Sequence, residues 1–262
     1  MMRVAGDSLR WDGAELIRLH DGAVQFGQDF FPDPRGATLP EAVVLPVQAY
    51  LLRRPGAAPV LIDTGSGALY GDKGGRVLGA LAALGLAPED IGDLVLTHLH
   101  GDHCGGLLSD LYTAARLHVG AVEADYWAAQ DHAASGRVLS ENADRIRLVQ
   151  DGEEIAPGLR VWSLPGHTPG QIGLVIDNRV AVVGDMLHRA DIQLPDPRIA
   201  TKFDVDPAQA VATRLAALKR IAAEGWAFCA GHARLPGQEQ GAHGLPFLRL
   251  EPAGEGWRAV AA

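Results

Sequence analysis

Cysteine is nearly absent: Cys104 and Cys229 are the only two in 262 residues. One pair cannot build a disulfide framework, and such sparse use of thiols suits a reducing compartment, so a cytoplasmic protein with two buried thiols is expected. Long apolar runs are missing too, none approaching the roughly 20 residues of a membrane span. The opening "MMRVAGDSLRWDG" lacks the charged head and apolar stretch of a leader, so no membrane partner is expected. Basic residues are outnumbered, 23 Lys and Arg against 32 Asp and Glu for a formal charge of −9. That balance argues against a nucleic-acid surface, which needs a basic face to neutralise phosphates.

Two signatures of other enzyme classes fail as well. "VLIDTGSGALYG" sets glycines after an apolar run as a dinucleotide-binding turn would, but Tyr70 stands at the third glycine position. The G-x-S-x-G of a nucleophile elbow is absent, so Ser66 is no such nucleophile. With 47% apolar and 21% charged residues and no low-complexity tract, one ordered domain over 1–262 is the expected organisation.

Periodicity supplies the elements. "AVVLPVQAYLLRR" and "APVLIDTG" are short apolar runs parted by a Pro-Gly turn, which reads as two strands. "GRVLGALAALGLAPED" spaces Val77, Leu81 and Leu84 as a helix stopping at Gly85, and "IGDLVLTHLH" follows as a strand. "LLSDLYTAA" reads as a helix, "RLHVGA" as a strand and "VEADYWAAQ" as a helix, while the polar residues 131–150 read as a lid or surface loop. Three strands follow in "GLRVWSL", "IGLVIDN" and "RVAVVGD". Residues 204–225 give the clearest helix, with Asp206 as N-cap, Pro207 in the first turn, Gly225 as the stop, and Val211, Leu215, Leu218 and Ala222 as the expected buried stripe. "WAFCAGH" reads as a strand and "FLRLEPAGEGWRAV" as a final hairpin. Alternating strand-rich and helix-rich segments imply a layered α/β architecture.

The densest chemistry is "THLHGDHCGG", residues 97–106, which packs His98, His100, Asp102 and His103 into six positions. On an extended strand residues i and i+2 share a face about 6.6 Å apart, so His98 and His100 can converge on one ion through metal–nitrogen bonds of about 2.0–2.1 Å. Asp102 and His103, placed past the strand end, face a neighbouring volume. Further ligand types stand after other apolar runs: His167 in "LPGHTPG", Asp185 in "VAVVGDM" and His232 in "FCAGHAR". Neutral imidazoles suit zinc, and a carboxylate has two oxygens with which to bridge two ions.

These motifs, in the order "VLIDTG", "THLHGDHCGG", "LPGHTPG", "VVGD" and "AGH", resemble the metallo-β-lactamase fold superfamily over nearly the whole chain. The resemblance implies an α/β fold, a four-layer αββα sandwich whose two halves arise by approximate duplication. It gives His98, His100 and His167 to one metal, Asp102, His103 and His232 to a second, and Asp185 to both. Asp63 corresponds to a residue that steadies the ligand loop, or else simply caps a strand. The implied cofactor is two zinc ions per chain, with Mn, Fe or Co left open.

Departures narrow the chemistry. His100 stands where diiron redox members carry glutamate, and Asp185 where class B1 β-lactamases carry cysteine, so hydrolysis is favoured and antibiotic cleavage disfavoured. Stretches such as "PVQAYLLRRPGAAPVLIDTGSG", "VEADYWAAQ", "DVDPAQAVATR" and "GHARLPG" are similar to the branch containing methyl parathion hydrolase and related lactonases and esterases. Many lactonases of the fold place a tyrosine three positions after the shared aspartate; here the position is His188. The implied function is dinuclear hydrolysis of a small-molecule ester or lactone, extending to phosphotriesters, by a metal-bridging hydroxide that Asp102 orients. His188 then assists the leaving group or is an ordinary surface histidine. Phe26, Phe30, Phe31 and Phe203 are candidate pocket walls or ordinary core. A mononuclear iron sulfur dioxygenase and a glyoxalase-II-like thioesterase of the same fold are the alternatives. The expected partner is a small-molecule substrate, and a homodimer is left open.

Overall fold

The computed structural model describes residues 2–109, 111–233 and 246–262. Among them the chain runs β1 (Arg3–Ala5), β2 (Ser8–Trp11), β3 (Ala14–Phe26), β4 (Val43–Arg53), β5 (Val60–Ile62), α1 (Val77–Ala83), β6 (Asp93–Leu96), α2 (Gly101–Cys104), β7 (Arg116–Gly120), α3 (Ala121–Ala128), α4 (Ala133–Glu141) and β8 (Ile146–Val149). It continues through β9 (Glu154–Ala156), β10 (Leu159–Ser163), β11 (Ile172–Ile176), β12 (Val180–Val182), α5 (Ala190–Gln193), α6 (Pro207–Glu224), β13 (Ala227–Cys229), β14 (Leu248–Ala253) and β15 (Gly256–Ala261). Two compact units emerge: residues 1–23 with 46–150, and 24–45 with 151–262.

In the first unit the strands lie side by side in chain order. β5 to β8 are parallel, because each is joined to the next by a crossover rather than a tight turn. Every side chain of β5 and β6 is buried, as parallel strands covered on both faces require. Ile62 lies opposite Val95, so the two strands end level. Asp63 and Thr97 therefore leave the sheet together, and the Asp63 N–H still donates to the Val95 carbonyl at 2.9 Å. Beneath them Leu61, Leu94, Leu96, Leu117 and Val119 belong to one apolar cluster.

The second unit repeats the device. Its sheet runs β15-β14-β13-β12-β11-β10-β9, with β12 and β13 parallel and Val182 opposite Cys229. Asp185 and His232 each stand three residues beyond that paired register. β10 and β11 are antiparallel with Ser163 opposite Ile172, and β11 pairs antiparallel with β12. The connector 164–171, which carries His167, is thus brought to the same sheet edge as Asp185. β14 and β15 form the expected hairpin.

α6 has the caps the sequence announces: the Asp206 carboxylate accepts from the Gln209 N–H, and Gly225 at φ 64° closes the last turn. Its buried face differs from expectation. Ala210, Arg214, Ala217, Leu218 and Ile221 are inside, whereas Leu215 is 44% exposed. The stripe is turned by one residue because Arg214 is drawn in by three carbonyls, Met186 at 2.7 Å and Pro197 and Ile199 at 2.9 Å.

Other expectations are corrected. The described residues of 107–115 form no α-helix, only the end of a short 3₁₀ turn over Gly105–Leu108, and Tyr112 at φ 58° is incompatible with one. Residues 131–150 are no bare loop. They build α4, capped by His132 accepting from the Ser135 N–H, and the half-exposed strand β8. Polar residues hide both elements because one lies over the surface and the other is paired with β7 alone. No helix of the described residues is long and apolar enough to cross a membrane. Residues 234–237, the end of "GHARLPG", lie outside the described residues.

Candidate metal centre

β6 ends at Leu96, so His98 and His100 do not sit on the strand but on the loop that leaves it. Backbone satisfaction explains how that loop holds its shape. The Leu99 N–H donates to the buried Glu123 carboxylate at 2.9 Å, which also accepts from the Trp127 indole at 2.6 Å. The Leu99 carbonyl accepts from Ser135 and Cys104. Flanked by these anchors, His98 Nε2 and His100 Nδ1 come within 3.0 Å, and Trp127 packs its ring edgewise on His100. Two imidazole nitrogens pointed at one another need a proton or a cation between them.

Asp102 and His103 belong to α2, the short helix that follows this loop. His103 Nε2 and Asp102 Oδ2 lie 3.9 Å apart, a second pair distinct from the first. Asp63, at φ 61°, turns its carboxylate onto the loop. It accepts from the Thr97 N–H at 2.8 Å, from the Thr97 hydroxyl at 2.9 Å, and from His103 Nδ1 at 2.8 Å. With Nδ1 as donor, His103 presents Nε2 as a lone pair.

In the second unit three imidazoles surround one carboxylate oxygen. Asp185 Oδ2 lies 3.0 Å from His232 Nε2, 3.3 Å from His188 Nε2 and 3.4 Å from His167 Nε2. All four residues are buried. Ligands at zinc-bond length about a tetrahedral ion stand roughly 3.3 Å apart, so these spacings suit a cation better than a bare cluster. The backbone is prepared for it: Gln171 Oε1 accepts from the Asp185 N–H at 3.1 Å. Gly166, at φ 128°, lets the His167 loop approach α6 so closely that a Cβ would lie 2.2 Å from the Ala210 nitrogen.

The chain matches the Metallo-beta-lactamase superfamily over residues 42–232.

The chain belongs to the metallo-β-lactamase superfamily.

Within this superfamily it is 30% identical over 160 residues to an N-acyl homoserine lactonase of Bacillus sp, covering 52% of this chain and 60% of that relative. It is 32% identical over 192 residues to Metallo-beta-lactamase domain-containing protein 1 of Homo sapiens, covering 70% and 61%. The matches thus span about 60% of the length of these relatives. Among solved structures it is similar to AidC, a dizinc quorum-quenching lactonase, at TM-score 0.86 and 21% identity, covering 97% of this chain and 96% of that one. The hydrolase AbOPH of the beta lactamase superfamily is also similar, at TM-score 0.84 and 24% identity, covering 99% and 98%. These likenesses show the fold, and the expected α/β class is that of the metallo-β-lactamase superfamily.

Sequence reasoning missed one carboxylate of this superfamily member's site. Asp204 Oδ1 accepts from His167 Nδ1 at 2.9 Å, and its Oδ2 accepts from the Thr201 N–H at 2.8 Å. Burial pushes its carboxyl up, but the His167 hydrogen bond, the charges of His188 and His167 and the Thr201 N–H together bring it down to about 2. Local spacing does not reveal it, since it stands 37 residues from its partner and "DVD" announces by itself only the start of a helix.

His188 is buried, not on the surface. Burial holds its imidazole below the ordinary value, against the nearby Asp185 charge. Its ring stacks on His232 at 5.4 Å and meets the edge of Phe30 at 5.5 Å. Phe26, Phe30 and Phe203 form a mutual triangle with centroids 5.2 to 5.8 Å apart, Phe31 packs on Phe30, and Phe203 is 41% exposed. Phe30 and Phe31 are core; Phe26 and Phe203 extend that aromatic cluster outward, under the ammonium of Lys202. Both cysteines are free and buried, and burial pushes the Cys104 thiol far above its usual range.

Proposed function

We propose that this chain is a dinuclear metal-dependent hydrolase of lactones and small esters, its two units acting as one domain in the cytoplasm. The observation that carries the reading is the pairing of donors with carboxylate supports: His103 backed by Asp63, His167 backed by Asp204, and three imidazoles on Asp185. In it His98, His100, Asp102 and His103 of the first unit and His167, Asp185 and His232 of the second would be the metal ligands. Zinc in such a set supplies a hydroxide at neutral pH, because it lowers the pKa of bound water to about 7.

The chain's own residues do the rest. Asp102, 3.9 Å from His103 and partly exposed, orients the attacking water and carries its proton away. His188 faces the leaving oxygen, and the Phe26, Phe30 and Phe203 cluster with Phe31 behind it offers an apolar wall to the acyl part of a substrate. The lactonase relatives favour an N-acyl homoserine lactone within that class.

A hydrolysis panel of N-acyl homoserine lactones, aryl esters, a phosphotriester and a glutathione thioester, with metal content measured on the same sample, tests the reading. We expect two zinc per chain and turnover of lactones before the rest. One iron per chain with oxygen consumption, or two zinc with no lactone or ester turned over, would overturn it.

A further inference from the structure

Three histidines point Nε2 at Asp185 Oδ2, and distance does not tell them apart: 3.0, 3.3 and 3.4 Å. What separates His188 from His167 is the far side of the ring. His167 Nδ1 lies 2.9 Å from the Asp204 carboxylate, which must be met by an N–H, so its Nε2 carries a lone pair and can bind a cation. His188 Nδ1 is equally buried and has no hydrogen-bond partner among the described residues. A buried N–H without an acceptor is costlier than a buried lone pair, so the proton of a neutral His188 belongs on Nε2.

We infer that His188 is a hydrogen-bond donor to the site and not a metal ligand. Its Nε2–H is directed at Asp185 Oδ2, and from that position it reaches an oxygen of a substrate held beside the same carboxylate. The ring is fixed for this service. Gln193 Oε1 accepts from the backbone N–H groups of both His188 and Arg189, at 2.8 and 3.1 Å, while its own amide donates to the Ile199 carbonyl at 3.0 Å. Phe30 and His232 hold the imidazole by its edge and its face. A donor locked before the substrate arrives needs no reorganisation when negative charge develops on an oxygen.

The inference rests on the hydrolase reading for its role but not for its chemistry, and the test separates the two. In full-length protein carrying 15N-histidine, the ring correlations of His188 should show the Nε2–H tautomer both with and without zinc. His188→Phe should bind zinc with the stoichiometry and affinity of the native chain, whereas His167→Ala should lose an ion. On an N-acyl homoserine lactone, His188→Phe should lose about 10²-fold in kcat, and His188→Gln, whose amide N–H reaches as far as Nε2, should recover at least a tenth of the native rate. An Nδ1–H tautomer, zinc lost from His188→Phe, or a glutamine variant no better than phenylalanine would each overturn it. If the native protein turns over no lactone, the hydrolase reading falls, and the tautomer and the zinc titration still decide the inference.

Discussion

At the scale of single residues, two carboxylates do the same work in different units. Asp63 fixes His103 through Nδ1, and Asp204 fixes His167 the same way. Asp63 is legible in the sequence because it ends an apolar run in "VLIDTG"; Asp204 is not, because nothing local to "DVD" says that a histidine 37 residues earlier will fold onto it. Removing such a partner typically costs 10- to 100-fold in metal affinity. Asp204→Asn should therefore weaken zinc binding by about that factor in a competition titration with a chromogenic chelator. It should also change the acid limb of stability. The Asp204 carboxyl stands at about 2 in the folded chain, below the ordinary value of about 3.9. A depressed carboxyl contributes stability above its unfolded pKa and loses it as pH falls through the folded one, so about 2 kcal/mol should disappear between pH 4 and 2. Urea unfolding of metal-free protein should show this loss in the native chain and its absence in Asp204→Asn. Equal slopes in the two would assign the low value to another cause.

At the scale of elements, caps were legible and faces were not. Asp206, Pro207 and Gly225 mark the ends of α6 by their own chemistry. Its orientation depends on which of two stripes, offset by one residue, finds partners. Positions 211, 215, 218 and 222 look more apolar, yet the chain buries 210, 214, 217, 218 and 221 because carbonyls at 186, 197 and 199 await Arg214. The same limit hid α4 and β8, whose polar residues follow from surface placement, and gave residues 107–115 a helical look that Tyr112 contradicts. The parallel core strands were readable for the opposite reason: burial on both faces makes their residues mainly apolar, as in Val60–Ile62 and Leu94–Leu96. Two leucines on one helix test the face. Leu218→Ala should cost about 2–5 kcal/mol by cavity formation, while Leu215→Lys should stay within about 0.5 kcal/mol. Chemical denaturation of the two variants side by side reads the difference, and a costly Leu215→Lys would restore the expected stripe.

At the scale of the whole molecule, the proposed centre makes a thermodynamic demand. The proposed ligands are His98, His100, Asp102 and His103 in one unit and His167, Asp185 and His232 in the other. An ion that binds only the folded chain stabilises it by about 2.7 kcal/mol at a free concentration 100 times its Kd. For a chain of this size that corresponds to roughly 5–10 °C in Tm per ion. Chelation should lower the Tm of the native protein by about twice that and restore it on adding zinc. The decisive comparison takes one candidate ligand from each unit. His103→Ala and His232→Ala should each lose zinc and part of the zinc-dependent Tm gain, read by metal analysis and thermal melts, whereas Leu215→Lys, at an exposed position, should lose neither. A native Tm that chelation leaves unmoved, or variants that keep the native zinc content, would remove the ions on which the hydrolase reading depends.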